Sequence, residues 1–137
     1  MRTYKHFWAL LFVPLMWACT GSHEKRQHSL IPAPVSLQWQ KGQFQLTAET
    51  PLLYADAPLA FTAFYAHELL GWNDSGRPEP MAARNPGQEG TIELALLPVY
   101  DEEIGDEGFH LHVHPAGIRI AGNAASGVFY GVQALNQ

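Results

Sequence analysis

The sequence predicts a two-layer α+β domain in which helices cover one face of a mostly antiparallel or mixed sheet. Three observations carry this. Several short runs alternate apolar and polar residues, a Pro-Ala-Gly turn joins two of them near the end of the chain, and two longer stretches repeat their apolar residues at helical spacing. Strands that are apolar on one side and helices that are apolar on one stripe bury those faces against each other. At 137 residues the length allows one domain, and 47% apolar with 15% charged residues is an ordinary globular composition.

The first nineteen residues stand apart. Arg2, Lys5 and His6 precede an apolar run over residues 7–17 that is too short for a membrane span but suits a secretory signal. The run ends in Ala18-Cys19, a small residue before the sole cysteine, which resembles a bacterial lipoprotein cleavage site. Residues 1–19 are therefore expected to be a signal peptide cleaved before Cys19. The lipid would be attached at Cys19, and residues 20–29 would form a polar tether. With one cysteine no internal disulfide can form. Beyond the leader six basic side chains face thirteen acidic ones, so the domain offers no footprint for nucleic acid. A membrane would be held through the acyl group and not through protein charge.

From residue 30 the elements follow in order. Ile31-Pro32-Ala33-Pro34 is expected to be extended, since each proline disfavours the helical region for its predecessor. Val35, Leu37 and Trp39 alternate with polar residues, Lys41-Gly42 turns, and residues 43–47 alternate again, which predicts two strands. Asp56-Ala57-Pro58 announces a helix over residues 59–70, with Phe61, Phe64, Tyr65 and Leu69 as its packing stripe and Gly71 as its stop. Residues 72–90, rich in Gly, Pro, Asn, Asp and Ser, read as a long loop, with Trp72 placed for exposure. Residues 91–96 form a strand with Ile92, Leu94 and Leu96 facing one way. An acidic connection leads to a hairpin of Phe109/Leu111/Val113 and Ile118/Ile120. Beyond Asn123 the period lengthens, and Val128, Val132 and Leu135 mark a last helix. Gly127 and Gly131 let it approach a neighbour closely.

The run Gly105-Asp106-Glu107-Gly108-Phe109, the hairpin, and Ala125-Ser126-Gly127-Val128-Phe129-Tyr130-Gly131-Val132-Gln133-Ala134-Leu135 resemble the end of the N-terminal domain of family 20 glycoside hydrolases, the β-N-acetylhexosaminidases. Leu30-Ile31-Pro32-Ala33-Pro34-Val35 is similar to that domain's opening, so the resemblance spans residues 30–137. It implies the same α+β arrangement, a parent enzyme that removes terminal non-reducing N-acetylhexosamine without a cofactor, and a catalytic barrel joined after the last helix. A barrel of that kind takes roughly 250 residues, so the chain is expected to be the supporting, non-catalytic piece. The barrel of the same polypeptide would be its partner, and the glycan would be met through the barrel. An exported, lipid-anchored place in the cell envelope follows from the leader.

Three groups of residues invite a site of their own. The family's catalytic Asp-Glu pair lies on a barrel strand, where the glutamate protonates the leaving oxygen and the aspartate orients the substrate's acetamido group. Asp106-Glu107 repeats the letters on a Gly-flanked loop, and a general acid needs a pocket that raises its pKa, so neither receives a catalytic role. His110, His112 and His114 alternate along a strand and share one face. A transition metal is one reading of them, and the solvent-facing side of a hairpin is the preferred one. Trp39, Trp72, Phe129 and Tyr130 could stack on sugar rings, though core or domain packing is preferred. The alternative function is thus a stand-alone envelope lipoprotein that binds glycan through exposed aromatics or metal through the histidines. No catalytic, cofactor or metal residue is assigned.

Overall fold

The computed structural model describes residues 30–31, 33–47, 49–72 and 76–137. The expected signal peptide, Cys19 and the polar tether lie outside the described residues. A five-stranded sheet in the order β2-β1-β3-β5-β4 forms one layer. Its strands are β1 (Leu52–Tyr54), β2 (Met81–Ala82), β3 (Thr91–Leu96), β4 (Phe109–His114) and β5 (Gly117–Gly122). The second layer is α1 (Ala60–Leu69), entered through a 3-10 turn at Ala57–Leu59, together with α2 (Ala125–Leu135).

The sheet is mixed. β1 pairs in parallel with β2 and β3, β3 pairs in parallel with β5, and β4 pairs antiparallel with β5 as a hairpin. Register explains the core. Leu52, Ile92, Ile118 and Val113 sit level across four strands, as do Tyr54, Leu94, Ile120 and Leu111. The first three of the upper row, with Leu94 and Ile120, meet Leu59, Ala63 and Ala66 of the α1 region and Val128 and Val132 of α2. Alternation along a strand puts these residues on the helix side. The central strand β3 is buried on both faces, as expected where parallel neighbours flank it.

The opening of the domain differs from expectation. Residues 35–47 join no ladder, and Val35, Leu37, Trp39 and Leu46 are exposed. A period of two reports extended backbone and an apolar side; it does not supply a neighbouring strand. The first strand among the described residues, β1, is hidden because three residues, two of them buried, are too few to show a period. β2 likewise interrupts the expected loop, with two residues pairing on β1.

The helix boundaries follow the sequence closely, while the orientation of α1 does not. Its buried residues are Thr62, Ala63, Ala66 and His67. Of the expected stripe, Phe61, 77% exposed, and Phe64, 48% exposed, turn outward, whereas Tyr65 is half-buried and Leu69 packs against the core. Small side chains let α1 approach the sheet, and the large rings take the side that remains. Gly71 ends the helix at a φ of 67°, in the left-handed region that favours glycine. The expected cap at Asp56 also differs, since its side chain caps nothing and instead its Oδ2 accepts the Leu96 N–H at 2.8 Å. That bond ties the entrance of α1 to the end of β3.

α2 packs mainly on β5 and β4. The close approach expected of its glycines is present. A Cβ at Gly127 would strike the Gly108 carbonyl oxygen, and one at Gly131 would strike Ile120 Cγ2 and the Phe109 ring. Where α2 ends, the Gln137 side chain accepts the Ile31 N–H and donates to the Ile31 carbonyl, each at 2.8 Å.

Candidate functional site: the aromatic face of the two helices

The outward face of α1 and the neighbouring turn of α2 form an aromatic surface. Phe61, Phe64 and Tyr65 lie at i, i+3 and i+4 on α1 and share one side. The Tyr65 ring lies 4.9 Å from that of Phe129, tilted by 33°, and Phe129 meets Tyr130 edge-on at 5.9 Å. The Tyr65 hydroxyl accepts from Gln133 Nε2 at 2.9 Å, which locks the two helices together at this point. Tyr130 is 44% exposed. Exposed apolar surface of this kind marks an interaction site when the rings are contiguous, whereas scattered exposed apolar residues would need no explanation.

Beside the rings lies a groove of about 450 Å³ lined by Phe61, Phe64 and Tyr65 together with His67, Glu68, Arg77 and Glu79. The Arg77 guanidinium carbon sits 4.3 Å from the centre of the Trp72 ring, within cation–π range. Trp72 is buried, at 6% exposure, contrary to its expected place on the surface. It closes the end of α1 against the core, and His67 meets its ring edge-on. Trp39 is exposed and lies on the unladdered opening segment. The four aromatics proposed from the sequence therefore do not form one exposed platform: Phe129 and Tyr130 belong to the helix face, and Trp72 is buried.

The acidic connection is a built loop. Asn123 Oδ1 accepts the Asp101 N–H, and its Nδ2 donates to the carbonyls of Asp101 and Gly105. Ser126 Oγ donates to the Asp106 carbonyl, and the Tyr100 hydroxyl donates to Asp106 Oδ1. That last contact raises the Tyr100 pKa, because ionising the phenol would lose its hydrogen bond to a carboxylate. Asp106 and Glu107 are both exposed on this loop.

The three histidines separate by their partners. His110 Nε2 lies 2.9 Å from Asp101 Oδ2, and this hydrogen bond is the largest cause of a lowered Asp101 pKa. His114 Nδ1 accepts the Ala116 N–H within the hairpin turn. His110 and His112 rings are 6.3 Å apart. Among the described residues no group of three or more His, Cys, Asp or Glu is disposed to hold a metal ion.

On the opposite sheet face Glu93, 3% exposed, takes the Gly87 N–H on Oε2 at 2.6 Å and so holds the loop over residues 83–90 against β3. Sequence reasoning missed Phe61, Phe64, Glu68, Arg77 and Glu79 as a group. The available signal was Thr62, Ala63 and Ala66, a small-residue side that announces close packing and so leaves the aromatic side outward.

Residues 27–137 match the family described as glycosyl hydrolase family 20, domain 2. A lacto-N-biosidase of Bifidobacterium bifidum is 31% identical over 96 residues, which cover 70% of this chain and 8% of the relative. Among solved structures, the family 20 β-N-acetylhexosaminidase of Streptomyces coelicolor superposes with a TM-score of 0.63 at 30% identity, covering 76% of this chain and 20% of that one. The Streptomyces plicatus N-acetyl-β-hexosaminidase, solved with Thio-NAglucal, does so with a TM-score of 0.63 at 33% identity, covering 77% and 20%. The chain thus spans a fifth or less of the length of these relatives.

Proposed function

The chain belongs to glycosyl hydrolase family 20 as its domain 2, and on that premise we propose that it supports the catalytic barrel of an exported β-N-acetylhexosaminidase. The observation that carries the reading is the inverted α1. A helix that buries Thr62, Ala63 and Ala66 while presenting Phe61 and Phe64 to solvent has its largest apolar side chains on the side that its own domain does not cover. The energetic logic is ordinary area burial. Each ring taken from water onto a partner contributes about 1.5–3 kcal/mol, against nothing while it stays wet.

In this reading the barrel rests on Phe61, Phe64 and Tyr130, and the substrate is a terminal non-reducing N-acetylhexosamine held by the barrel alone. Hexosaminidase is preferred to lacto-N-biosidase because the Streptomyces structures, with about three-quarter coverage of this chain, carry the former name. Cys19 anchors the polypeptide to the cell envelope by its lipid. Chemistry belongs to a barrel Asp-Glu pair, and Asp106-Glu107 stays a solvated loop.

Reading the gene beyond codon 137 tests this directly. The expected result is an open frame encoding a barrel with an Asp-Glu pair on a strand, and an isolated 137-residue protein without activity on an aryl N-acetylglucosaminide. A stop codon at that point, or turnover abolished by Asp106→Asn or Glu107→Gln, overturns it. Labelling with a radioactive fatty acid tests the anchor, with loss of label expected in Cys19→Ser.

A further inference from the structure

We infer that Arg77, on the wall of the groove beside α1, is an anion seat filled by an aspartate or glutamate side chain of the catalytic domain. This rests on the proposed docking of that domain on the helix face, and it names the kind of side chain that the docked partner must supply.

The arginine is held but not paired. Gly76 turns at a φ of 69°, and Pro78 restricts Arg77 to extended backbone, so a stiff segment delivers the side chain to the buried Trp72 ring. There the guanidinium carbon stands 4.3 Å from the ring centre. A ring attracts the cation through its face and leaves the in-plane N–H donors unspent. Nη1 is enclosed by protein and, among the described residues, has no hydrogen-bond partner. Enclosed donors of this kind are rare, because the lost hydration has not been replaced. Glu68 and Glu79 line the same groove but stand exposed, and among the described residues neither forms an ion pair with Arg77.

Docking sharpens the deficit. Phe61, Phe64 and Tyr65 line the groove together with Arg77, so a body seated on the rings covers the half-buried arginine and takes its remaining water. A covered cation needs a countercharge. A carboxylate supplies one, and its two coplanar oxygens match two parallel N–H donors of the fork. A main-chain carbonyl would satisfy one donor and leave the charge standing, and a partner lysine would set a second cation beside the first. Glu68 and Glu79 oppose an incoming anion through solvent, which screens exposed charges beyond about 8 Å. Contact with Arg77 is direct.

The test is a nuclear magnetic resonance titration of the 137-residue protein with 3-phenylpropionate, compared with 3-phenylpropionamide and 3-phenylpropylamine. The phenyl ring suits the aromatic side of the groove in all three, and only the head group differs. The expected result is saturable movement of the Arg77 Nε–H and Phe64 ring signals with the carboxylate. The amide should bind about fivefold more weakly, the scale of a partly exposed ion pair, and Arg77→Gln should abolish the preference. Because the Arg77 signal reports the contact in the unaltered protein, the result does not hang on that variant folding. Equal binding of the amide makes the groove an apolar slot. Preference for the amine hands it to Glu68 and Glu79, and the lack of any saturable movement leaves Arg77 a strut on the Trp72 ring. Each of these overturns the inference. The occupant itself is read in the polypeptide translated past codon 137, where the seat is taken and the carboxylate should no longer move the Arg77 signal. If that longer protein is destabilised by Phe64→Ser while its Arg77 still answers the probe, the seat fails and the docking stands. A stop at codon 137, or a longer protein indifferent to Phe64→Ser, overturns the docking and the occupant with it, even if the isolated groove prefers the carboxylate.

Discussion

Asp101 Oδ2 and His110 Nε2 lie 2.9 Å apart, and this contact fastens the acidic loop to the outermost long strand of the sheet. The Asp101 carboxyl is held below its ordinary value first by that hydrogen bond, then by the Glu103 N–H. A carboxylate with a lowered folded pKa stabilises fully above its unfolded value and loses the contribution as pH falls through the folded one. The loop is therefore expected to keep its protection at neutral pH and to lose it in acid, below the usual carboxylate range. Hydrogen exchange of the Glu103 amide across an acid series checks this. Asp101→Asn should flatten the acid limb, and an unchanged limb would remove the clasp from the account.

Asn123 is the second fastening of the same loop and is independent of pH. Its side chain makes three hydrogen bonds to the main chain at Asp101 and Gly105. A net hydrogen bond is worth about 1 kcal/mol. Asn123→Ala should cost about 2 kcal/mol in urea unfolding, since the site is only half-buried. A loss under about 0.5 kcal/mol would mean that water replaces the amide without penalty.

Gly127 and Gly131 decide how near α2 can lie to the hairpin. Alanine raises helix propensity by up to about 1 kcal/mol, but at Gly127 the added carbon meets a main-chain carbonyl that cannot swing away. Overpacking of this kind costs about 1–3 kcal/mol, so Gly127→Ala is expected to lower the melting temperature. Gly131→Ala, whose obstacles are side chains of Ile120 and Phe109, should cost less. Calorimetry that finds Gly127→Ala the more stable protein would mean that propensity wins and that the contact is looser than it looks.

Phe61 and Phe64 contribute little to the fold they belong to. Surface changes away from packed features stay within about 0.5 kcal/mol, so Phe61→Gln with Phe64→Gln should leave unfolding nearly unchanged. The same double change should reduce self-association, read by light scattering at high concentration, because it removes the rings from an uncovered apolar face. A double variant that unfolds would mean that the outer face of α1 is structural.

Much of this architecture was written in local pattern. β3, the hairpin and α2 stand where Ile92/Leu94, Pro115–Gly117 and Val128/Val132 announce them, because each combines a clear period with a clear boundary. The pairing was less legible. Nothing in the alternation of Val35, Leu37 and Trp39 says whether a neighbour exists to accept their main chain, and β1 and β2 are too short to carry a period. α1 failed for another reason. Phe, Ala and Thr all fit a helix interior, so choosing the large rings as the buried side followed size and ignored that Thr62, Ala63 and Ala66 already formed a complete, closely packing side. The family resemblance came from the terminal motif, where Gly127 and Gly131 answer to contacts that only glycine fits.

The two hydrogen bonds between the Gln137 side chain and the Ile31 main chain clasp the opening segment to the end of α2 at one corner. Tension drawn between those two points is met at the clasp, and the strands behind it feel nothing until the clasp parts.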